Sequence, residues 1–237
     1  MPRRLTPERM DDPSVDRGDL DRSLRFIRGV NRRLGGARAL WRHLRPLAAR
    51  VDGPITLLDV ATGSGDIPAL VRGWGLEAGL DIRVTAIDLH TTTLDLARDH
   101  LAEQPEAVRS GIELIELDAL EAGTRFGFDA FAAVHAGMFL HHLSDIRVMT
   151  ALRVMQRCAR RAVIWNDLHR SPAAWLGVRA LTAGAPAIVR HDARVSVDAG
   201  FTKGEALELA SRAGLESVRI RVAPLLGRFV LSSGATA

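Results

Sequence analysis

A glycine-containing turn follows the first apolar stretch that has the character of a strand. The predicted strand 55–60 runs directly into Ala61-Thr62-Gly63-Ser64-Gly65. Glycines here let the backbone turn tightly and bring a ligand close to peptide groups at the carboxyl edge of a sheet. Pro68 stands where a dinucleotide-binding turn needs a third glycine. Asp59, on the strand itself, would repel a pyrophosphate but suits a ligand that carries an ammonium and a sulfonium.

Two further carboxylates stand at the ends of the next two predicted strands. Asp88 ends the strand 82–89, where a carboxylate can accept hydrogen bonds from two ribose hydroxyls. Asp118 follows the strand 112–117, in a position to accept a hydrogen bond from an adenine amino group. The alternative is that both acids cap the helices that follow them. Three acids and a glycine turn, all at strand ends, favour an adenosyl-binding site.

Four histidines follow the later strands. His135 ends the predicted strand 128–135, His141 and His142 come soon after it, and His169 follows the strand 162–165. Histidine can take a proton from a phenolic hydroxyl near neutral pH, so His142 and His169 are candidate bases. The alternative is a structural role in packing and hydrogen bonding. A zinc site built from His135, His141 and His142 would need a fourth ligand, and no metal is predicted.

The elements that would position these residues alternate between strand and helix. The predicted strands are joined by predicted helices, which indicates parallel strands, right-handed crossovers and helices on both faces of the sheet. Near the carboxyl end, a helix over 203–213 precedes strands 217–222 and 227–232. Only residues 223–226 connect these two strands, so they must be antiparallel neighbours.

The composition is that of an ordinary globular chain with an unusual choice of basic residues. The 237 residues fit one α/β domain. Cys158 is the single cysteine, which excludes an intrachain disulfide and favours a cytoplasmic location. No secretory signal and no apolar run of transmembrane length are found. The basic excess lies in residues 1–50, where acids alternate with arginines as on a solvated helix, so nucleic-acid binding is not expected, although transient contact with a membrane surface stays possible.

The order of the motifs resembles the class I S-adenosylmethionine-dependent methyltransferases over residues 55 to about 232. The matching motifs are Leu58-Asp59-Val60-Ala61, Gly63, Gly65, Asp88, Leu117-Asp118, Phe128-Asp129 and Leu140-His141-His142-Leu143. The resemblance implies a Rossmann-like α/β fold whose seven-stranded sheet has an antiparallel last strand. It also implies that S-adenosylmethionine is the cofactor, with Asp88 on ribose and Asp118 near adenine. The expected cofactor contacts are Asp59, Ala61, Gly63, Gly65, Asp88, Leu89, Asp118, Ala119 and His135.

A narrower resemblance lies before the first strand. The segment from Asn31 to Arg42 is similar to the one that precedes the fold in ubiquinone/menaquinone-biosynthesis C-methyltransferases, although Gly29-Val30 replace the Tyr-Asp usual there. The chain also resembles small bacterial methyltransferases of polyketide and phenolic-lipid pathways, which belong to secondary metabolism. It is therefore placed as a relative of the quinone enzymes and not as one of them.

Two segments are expected to shape an acceptor pocket. Residues 1–50 contain predicted amphipathic helices over 19–34 and 37–49, and we expect them to form an N-terminal helical cap on the methyltransferase domain, 51–237. Within them, residues 1–18 have no periodicity and are expected to form a loop or a loosely held arm. The apolar segment 171–191 is expected to roof the pocket, or alternatively to complete the core or a dimer interface.

These observations predict methyl transfer to a small, hydrophobic, aromatic acceptor such as a phenol, an alkylresorcinol or a quinol, with O-methylation favoured over C-methylation. One alternative is an adenosyl-binding protein without catalysis. Another is a nicotinamide-dependent dehydrogenase, which Pro68 and the antiparallel ending disfavour. The sequence does not predict the oligomeric state.

Overall fold

A seven-stranded sheet forms the centre of the protein in the computed structural model, which describes residues 2–12 and 14–234. The strand order is β3-β2-β1-β4-β5-β7-β6. The first five strands are parallel, and β7 is antiparallel to both β5 and β6. This confirms the predicted Rossmann-like α/β sheet and its antiparallel ending. The strands are β1 (Ile55–Val60), β2 (Ile82–Asp88), β3 (Ile112–Glu116), β4 (Phe131–Gly137), β5 (Ala159–Leu168), β6 (Arg219–Ala223) and β7 (Arg228–Gly234).

Helices cover both faces of the sheet, as parallel strands joined by crossovers require. Several helices begin with the local signals expected of them, among them the capping box of Thr202 and Glu205 and the Ser171 cap followed by Pro172. The helices are α1 (Arg17–Arg33), α2 (Gly36–Leu47), α3 (Asp66–Glu77), α4 (Thr91–Ala102), α5 (Glu106–Arg109), α6 (Ala122–Phe126), α7 (Asp145–Cys158), α8 (Pro172–Leu181), α9 (Ala187–Ala199) and α10 (Lys203–Arg212).

The apolar core is divided by the sheet into two clusters. On one face α2 and α3 pack against the strands, and Ala37, Leu40, Leu44 and Leu47 of α2 are fully buried there. On the other face α7 and α10 pack around Trp165, Phe201 and Phe229, whose rings make edge-to-face contacts. Because α2 belongs to the helical layer on the sheet, the predicted cap of residues 1–50 is divided. Residues 2–12 and α1 cover a cavity, whereas α2 completes the core.

Residues 2–12, which we call the N-terminal segment, form a loop with one short helical turn over Arg9–Asp11, as one of the two predictions for residues 1–18 states. The other prediction, a loosely held arm, is wrong for this segment. Arg3 donates to the carbonyl oxygens of Leu143 (2.7 Å) and Ala199 (2.8 Å), and its guanidinium lies over the Phe201 ring. Glu8 is buried and accepts a hydrogen bond from Ser196. The segment has no periodicity because individual side chains, and not a regular apolar face, hold it.

Two predicted strands differ from the structure by three residues at one end or more, and the others by at most two. The fourth was expected from Phe128, but β4 begins at Phe131 because Gly127 and Asp129 have positive φ angles of 83° and 54° and form a turn. The fifth was expected over 162–165, but β5 runs from Ala159 to Leu168 because β7 pairs with it along most of its length.

Candidate active site

A cavity of about 640 Å³ lies at the carboxyl ends of the parallel strands. This is the edge at which α/β proteins bind ligands, and the volume falls in the range of about 300–1,000 Å³ usual for small-molecule sites. The glycine turn after β1 forms one wall. The N-terminal segment, α1, α8, α9 and the turn before β7 enclose the opposite side.

The glycine turn leaves its backbone open to a ligand. Ala61 and Gly63 have positive φ angles of 53° and 59°. A Cβ atom added at Gly63 would meet only Leu24 Cδ2, at 3.8 Å, which is an ordinary van der Waals contact. The backbone N–H of Gly63 donates to Asp88 Oδ2 (2.9 Å), and that of His90 donates to Asp88 Oδ1 (3.1 Å). These bonds hold the Asp88 carboxylate at the cavity wall, and burial raises the pKa of Asp88.

Asp59 and His135 form a buried pair beneath the turn. His135 Nδ1 lies 2.6 Å from Asp59 Oδ1, and Thr62 Oγ1 donates to Asp59 Oδ2 at 2.7 Å. Both oxygens of Asp59 are therefore engaged by the protein itself. In the part of the chain that the structure describes, His135 Nε2 has no hydrogen-bond partner, although it is buried in the cavity wall. A buried polar atom without a partner is unfavourable, which fits a site that a ligand completes.

The other predicted cofactor contacts fall into two groups. Leu89, Asp118 and Ala119 line the cavity beyond the ends of β2 and β3. Asp118 Oδ1 also accepts from the N–H of Leu120 (2.8 Å), so this acid caps the following turn and faces the cavity at the same time. Gly65 does not line the cavity. It precedes α3 with φ of 67°, and a Cβ there would point at α4, so its conformation shapes the turn.

His142 is the one of the two predicted bases that faces the cavity. Its Nδ1 lies 2.8 Å from Asp11 Oδ2, and its Nε2 lies 3.9 Å from Glu8 Oε1, which is too far for a hydrogen bond. An imidazole held at Nδ1 by a carboxylate presents Nε2 as a proton acceptor. His169 is not part of the cavity wall, and its buried Nδ1 has no partner among the described residues.

His141 is a buried link between the sheet and the N-terminal segment. Its Nδ1 lies 2.6 Å from Asp167 Oδ1, and its Nε2 lies 3.4 Å from Glu8 Oε1. Burial alone would lower the pKa of His141, but the two carboxylates raise it to about 10. Asp167 also accepts from Trp165 Nε1 at 3.0 Å. A cationic His141 therefore ties β5 to Glu8 and fixes the neighbouring His142.

Glu8, His141 and His142 are also the residues whose donor atoms could hold a metal ion, since these atoms lie within 4.8 Å of one another. In the structure Glu8 instead accepts from Ser196 and faces the imidazole of His141. Sequence reasoning missed Glu8 because nothing in its polar, aperiodic surroundings marks it for burial. It also missed Asn31, Asp66 and Arg228 as buried side chains of the cavity wall.

Comparison with known sequences points to one enzyme class. A family described as a methyltransferase domain matches residues 57–162. Over 70 residues the chain is 33% identical to the ubiquinone/menaquinone biosynthesis C-methyltransferase of Laribacter hongkongensis. That alignment covers 30% of this chain and 28% of the relative, so the chain matches less than a third of that protein's length.

Solved structures with a similar fold include two named methyltransferases. Human N-acetylserotonin methyltransferase in complex with S-adenosylmethionine has a TM-score of 0.64 and 12% identity, and the match covers 93% of this chain and 56% of that one. An O-methyltransferase family protein from Burkholderia thailandensis has a TM-score of 0.62 and 17% identity, with 88% and 58% covered. At these identities the likeness concerns the fold. Within the described residues, no helix is long and apolar enough to cross a membrane.

Proposed function

We propose that this chain, which carries a class I S-adenosylmethionine-dependent methyltransferase domain, methylates a small, hydrophobic, aromatic acceptor. S-adenosylmethionine is the cofactor of the domain, and the open glycine turn, Asp88 and the unpartnered His135 Nε2 fit it. The observation that carries the proposal is the continuous cavity, which reaches from this turn to His142 under an apolar roof. We favour phenols, alkylresorcinols and quinols as acceptors, and O-methylation over C-methylation.

The walls of the cavity beyond the cofactor contacts support an apolar acceptor. Side chains of α1 form one wall, and those of α8 and α9 form the roof that the apolar segment 171–191 was expected to supply. A flat aromatic ring is well matched to such walls, because apolar lining with few polar groups is typical of sites for aromatic ligands. The apolar lining residues include Leu24, Phe26, Ile27, Val30, Leu34, Val178, Leu181 and Val189.

In this proposal the polar groups at the acceptor side serve to move one proton. S-adenosylmethionine would supply an electrophilic methyl group on its sulfonium; transfer would break the sulfur–methyl bond and leave S-adenosylhomocysteine as the product. His142 Nε2 takes the proton from the acceptor hydroxyl, while Asp11, 2.8 Å from Nδ1, orients the ring and stabilises the imidazolium. His141 positions His142 through the chain that joins them. The apolar roof excludes water, and the cavity walls align the acceptor oxygen with the methyl carbon.

The proposal also covers the roles of the two parts of the chain, the cellular location and the partner. The N-terminal segment and α1 act as the cap over the acceptor, and residues 51–237 bind the cofactor. The single cysteine, Cys158, is buried and cannot form an intrachain disulfide, which favours a cytoplasmic location for the protein. The partner is a small molecule, nucleic acid is not expected, and transient contact with a membrane surface would suit a lipophilic acceptor.

Binding and turnover test the proposal separately. Calorimetric titration should show binding of S-adenosylmethionine and S-adenosylhomocysteine and none of NAD. The protein should then be incubated with methyl-labelled cofactor and a panel of phenols, alkylresorcinols and quinols, and the products identified by mass spectrometry. Label on a phenolic oxygen is the expected result. Cofactor binding without transfer to any acceptor of the panel would contradict the proposed acceptor class.

A further inference from the structure

Helix α8, in the roof of the cavity, turns an apolar face to the solvent. A helix that packs on a globular core usually exposes a polar face, but every exposed residue of α8 except Arg179 is apolar. Leu176, in the middle of this face, is 65% exposed. The exposed apolar residues are Pro172, Ala173, Leu176, Gly177, Ala180 and Leu181. The described part of the chain leaves this face uncovered.

The turn between β6 and β7 extends this apolar surface. Residues 224–226 are exposed, and Leu225, at 96%, is the most exposed large apolar side chain of the described residues. A Cβ atom added at Gly227 would lie 3.2 Å from Ala174 Cβ, so the turn packs directly against α8. We call the exposed face of α8 together with residues 224–226 the mouth surface, because Leu181 and Leu225 also line the cavity. A contiguous exposed apolar surface marks a site of contact with a membrane or another molecule.

The chain around the mouth surface carries positive charge and no negative charge. Residues 22–51, 168–191 and 217–234 contain arginines but no aspartate or glutamate, so all 28 acidic side chains lie in other segments. A Cβ atom added at Gly35, between α1 and α2, would lie 4.0 Å from Leu226. The junction of these two basic helices therefore lies beside the mouth surface, and its charge is complementary to an anionic surface.

The arginines at this junction are exposed and unpaired. Arg25 and Arg28, earlier in α1, form ion pairs with Asp21. The arginines that follow have no carboxylate within 4.0 Å among the described residues; they are Arg32, Arg33, Arg38, Arg42 and Arg45. On α8 the guanidinium of Arg179 lies 4.7 Å from the centre of the Trp175 ring. Arginine and tryptophan both suit the boundary between an apolar layer and polar headgroups.

An anionic lipid surface fits this combination better than other occupants do. A nucleic acid binds basic surfaces through its phosphates, and it would leave the exposed leucines without apolar contact. A second copy of the chain, paired by the same surface, would bring like charges together around the contact. A bilayer takes apolar side chains into the acyl boundary while basic side chains contact its anionic headgroups.

We propose that the mouth surface docks on anionic membranes. Leu176 and Leu225 enter the layer below the headgroups, and Arg33 and Arg38 contact the lipid phosphates. The cavity then opens towards the lipid, so that a lipophilic acceptor enters it without crossing water. Docking does not depend on methyl transfer; only this route for the acceptor rests on the proposed function.

Vesicle sedimentation measures the affinity for vesicles of phosphatidylcholine alone and of phosphatidylcholine mixed with an equal part of phosphatidylglycerol. Wild type should bind the anionic vesicles more tightly, and added salt should weaken that binding. Leu176→Gln/Leu225→Gln should lower the affinity for anionic vesicles about 10- to 100-fold, because its side chains no longer leave water for the acyl layer. Arg33→Gln/Arg38→Gln should lower it about fivefold for each charge removed.

Matched controls change exposed residues elsewhere. Leu76→Gln/Phe128→Gln replaces exposed apolar side chains that precede β2 and β4, at the edge of the sheet opposite the cavity. Arg98→Gln/Arg109→Gln removes the same charge from arginines that already form ion pairs with neighbouring carboxylates. Both controls should bind anionic vesicles as wild type does. All four variants change exposed positions, so thermal unfolding should show that each of them folds.

Failure of wild type to bind anionic vesicles, or wild-type binding by Leu176→Gln/Leu225→Gln, would overturn the proposal. A wild-type dimer in analytical ultracentrifugation that this variant abolishes, without vesicle binding, would make the mouth surface an interface between copies. Preference of wild type for double-stranded DNA over anionic vesicles, lost in Arg33→Gln/Arg38→Gln, would replace the membrane by nucleic acid. Vesicle binding by a protein that methylates no acceptor would support docking and contradict the proposed function alone.

Discussion

His141 should make the free energy of unfolding decrease as the pH rises above neutral. The imidazole is buried between Asp167 and Glu8, and its pKa is raised to about 10 in the folded protein, against about 6.5 in an unfolded chain. The folded state keeps a proton that the unfolded state has lost. The stabilisation is therefore complete below about pH 6.5 and is lost as the pH rises towards 10.

The magnitude is large for a domain of this size. Between the two pKa values the slope approaches about 1.4 kcal/mol per pH unit, so the full loss is about 4–5 kcal/mol. A typical domain is stable by only about 5–15 kcal/mol. Above about pH 7.5 few groups other than His141 titrate, because the chain has no tyrosine, one cysteine and a single lysine, Lys203; the exception is Arg228, whose pKa burial lowers to about 10. The pH dependence should therefore report mainly on His141.

Urea denaturation at several pH values between about 6 and 9.5 measures the effect. Wild type should lose stability steadily across that interval. His141→Gln should be less stable at neutral pH, by about 3–5 kcal/mol, because it leaves buried carboxylates without their cation, and it should lack the slope. His90→Gln, at an exposed histidine, should keep the slope. A wild-type free energy of unfolding that does not change between about pH 7 and 9.5 would refute the reasoning.

Three further predictions concern binding and turnover. His142→Ala should lower turnover about 10²–10⁴-fold with unchanged affinity for S-adenosylhomocysteine, whereas His169→Ala should retain turnover. Steady-state kinetics with the identified acceptor measures both variants. Equal losses of turnover would contradict the assignment of His142 as the base. Gly63→Val and Asp88→Ala should each weaken S-adenosylhomocysteine binding in calorimetry, the latter by about 1.5–3 kcal/mol. Wild-type affinity in both variants would show that the cofactor binds elsewhere. Deleting residues 2–12 should leave a folded sheet that binds S-adenosylhomocysteine but turns over poorly, and full activity of that variant would exclude a capping role.

Much of the sheet could be predicted because its signals are local. The short connection 223–226 forces β6 and β7 to be antiparallel, whatever the rest of the chain does. The carboxyl ends of parallel strands share one edge, so Asp59, Asp88 and Asp118, each at the end of a strand, were expected near one another, and all three line the cavity. These inferences need only strand limits that are correct to within a few residues.

Other parts of the site depend on contacts that no local pattern contains. Glu8 meets Ser196, and Arg228 meets Asn31, across 188 and 197 residues of chain. Position after a strand also does not decide which residues face the cavity, since Gly65 and His169 follow strands without lining it. Buried charges in aperiodic segments are visible only when the elements around them are in place.

The attachment of Arg3 determines the order in which the molecule can be completed. Its partner Ala199 lies 196 residues further along the chain, and Asp145, with which it forms an ion pair, also comes much later. The N-terminal segment is made well before these partners, and the surfaces that receive it do not exist until α9 has been made and packed. Contacts of such high sequence separation are slow to form. The cover that the N-terminal segment forms over the cavity therefore depends on elements that lie far along the chain, and it can be completed only when α9 is in place.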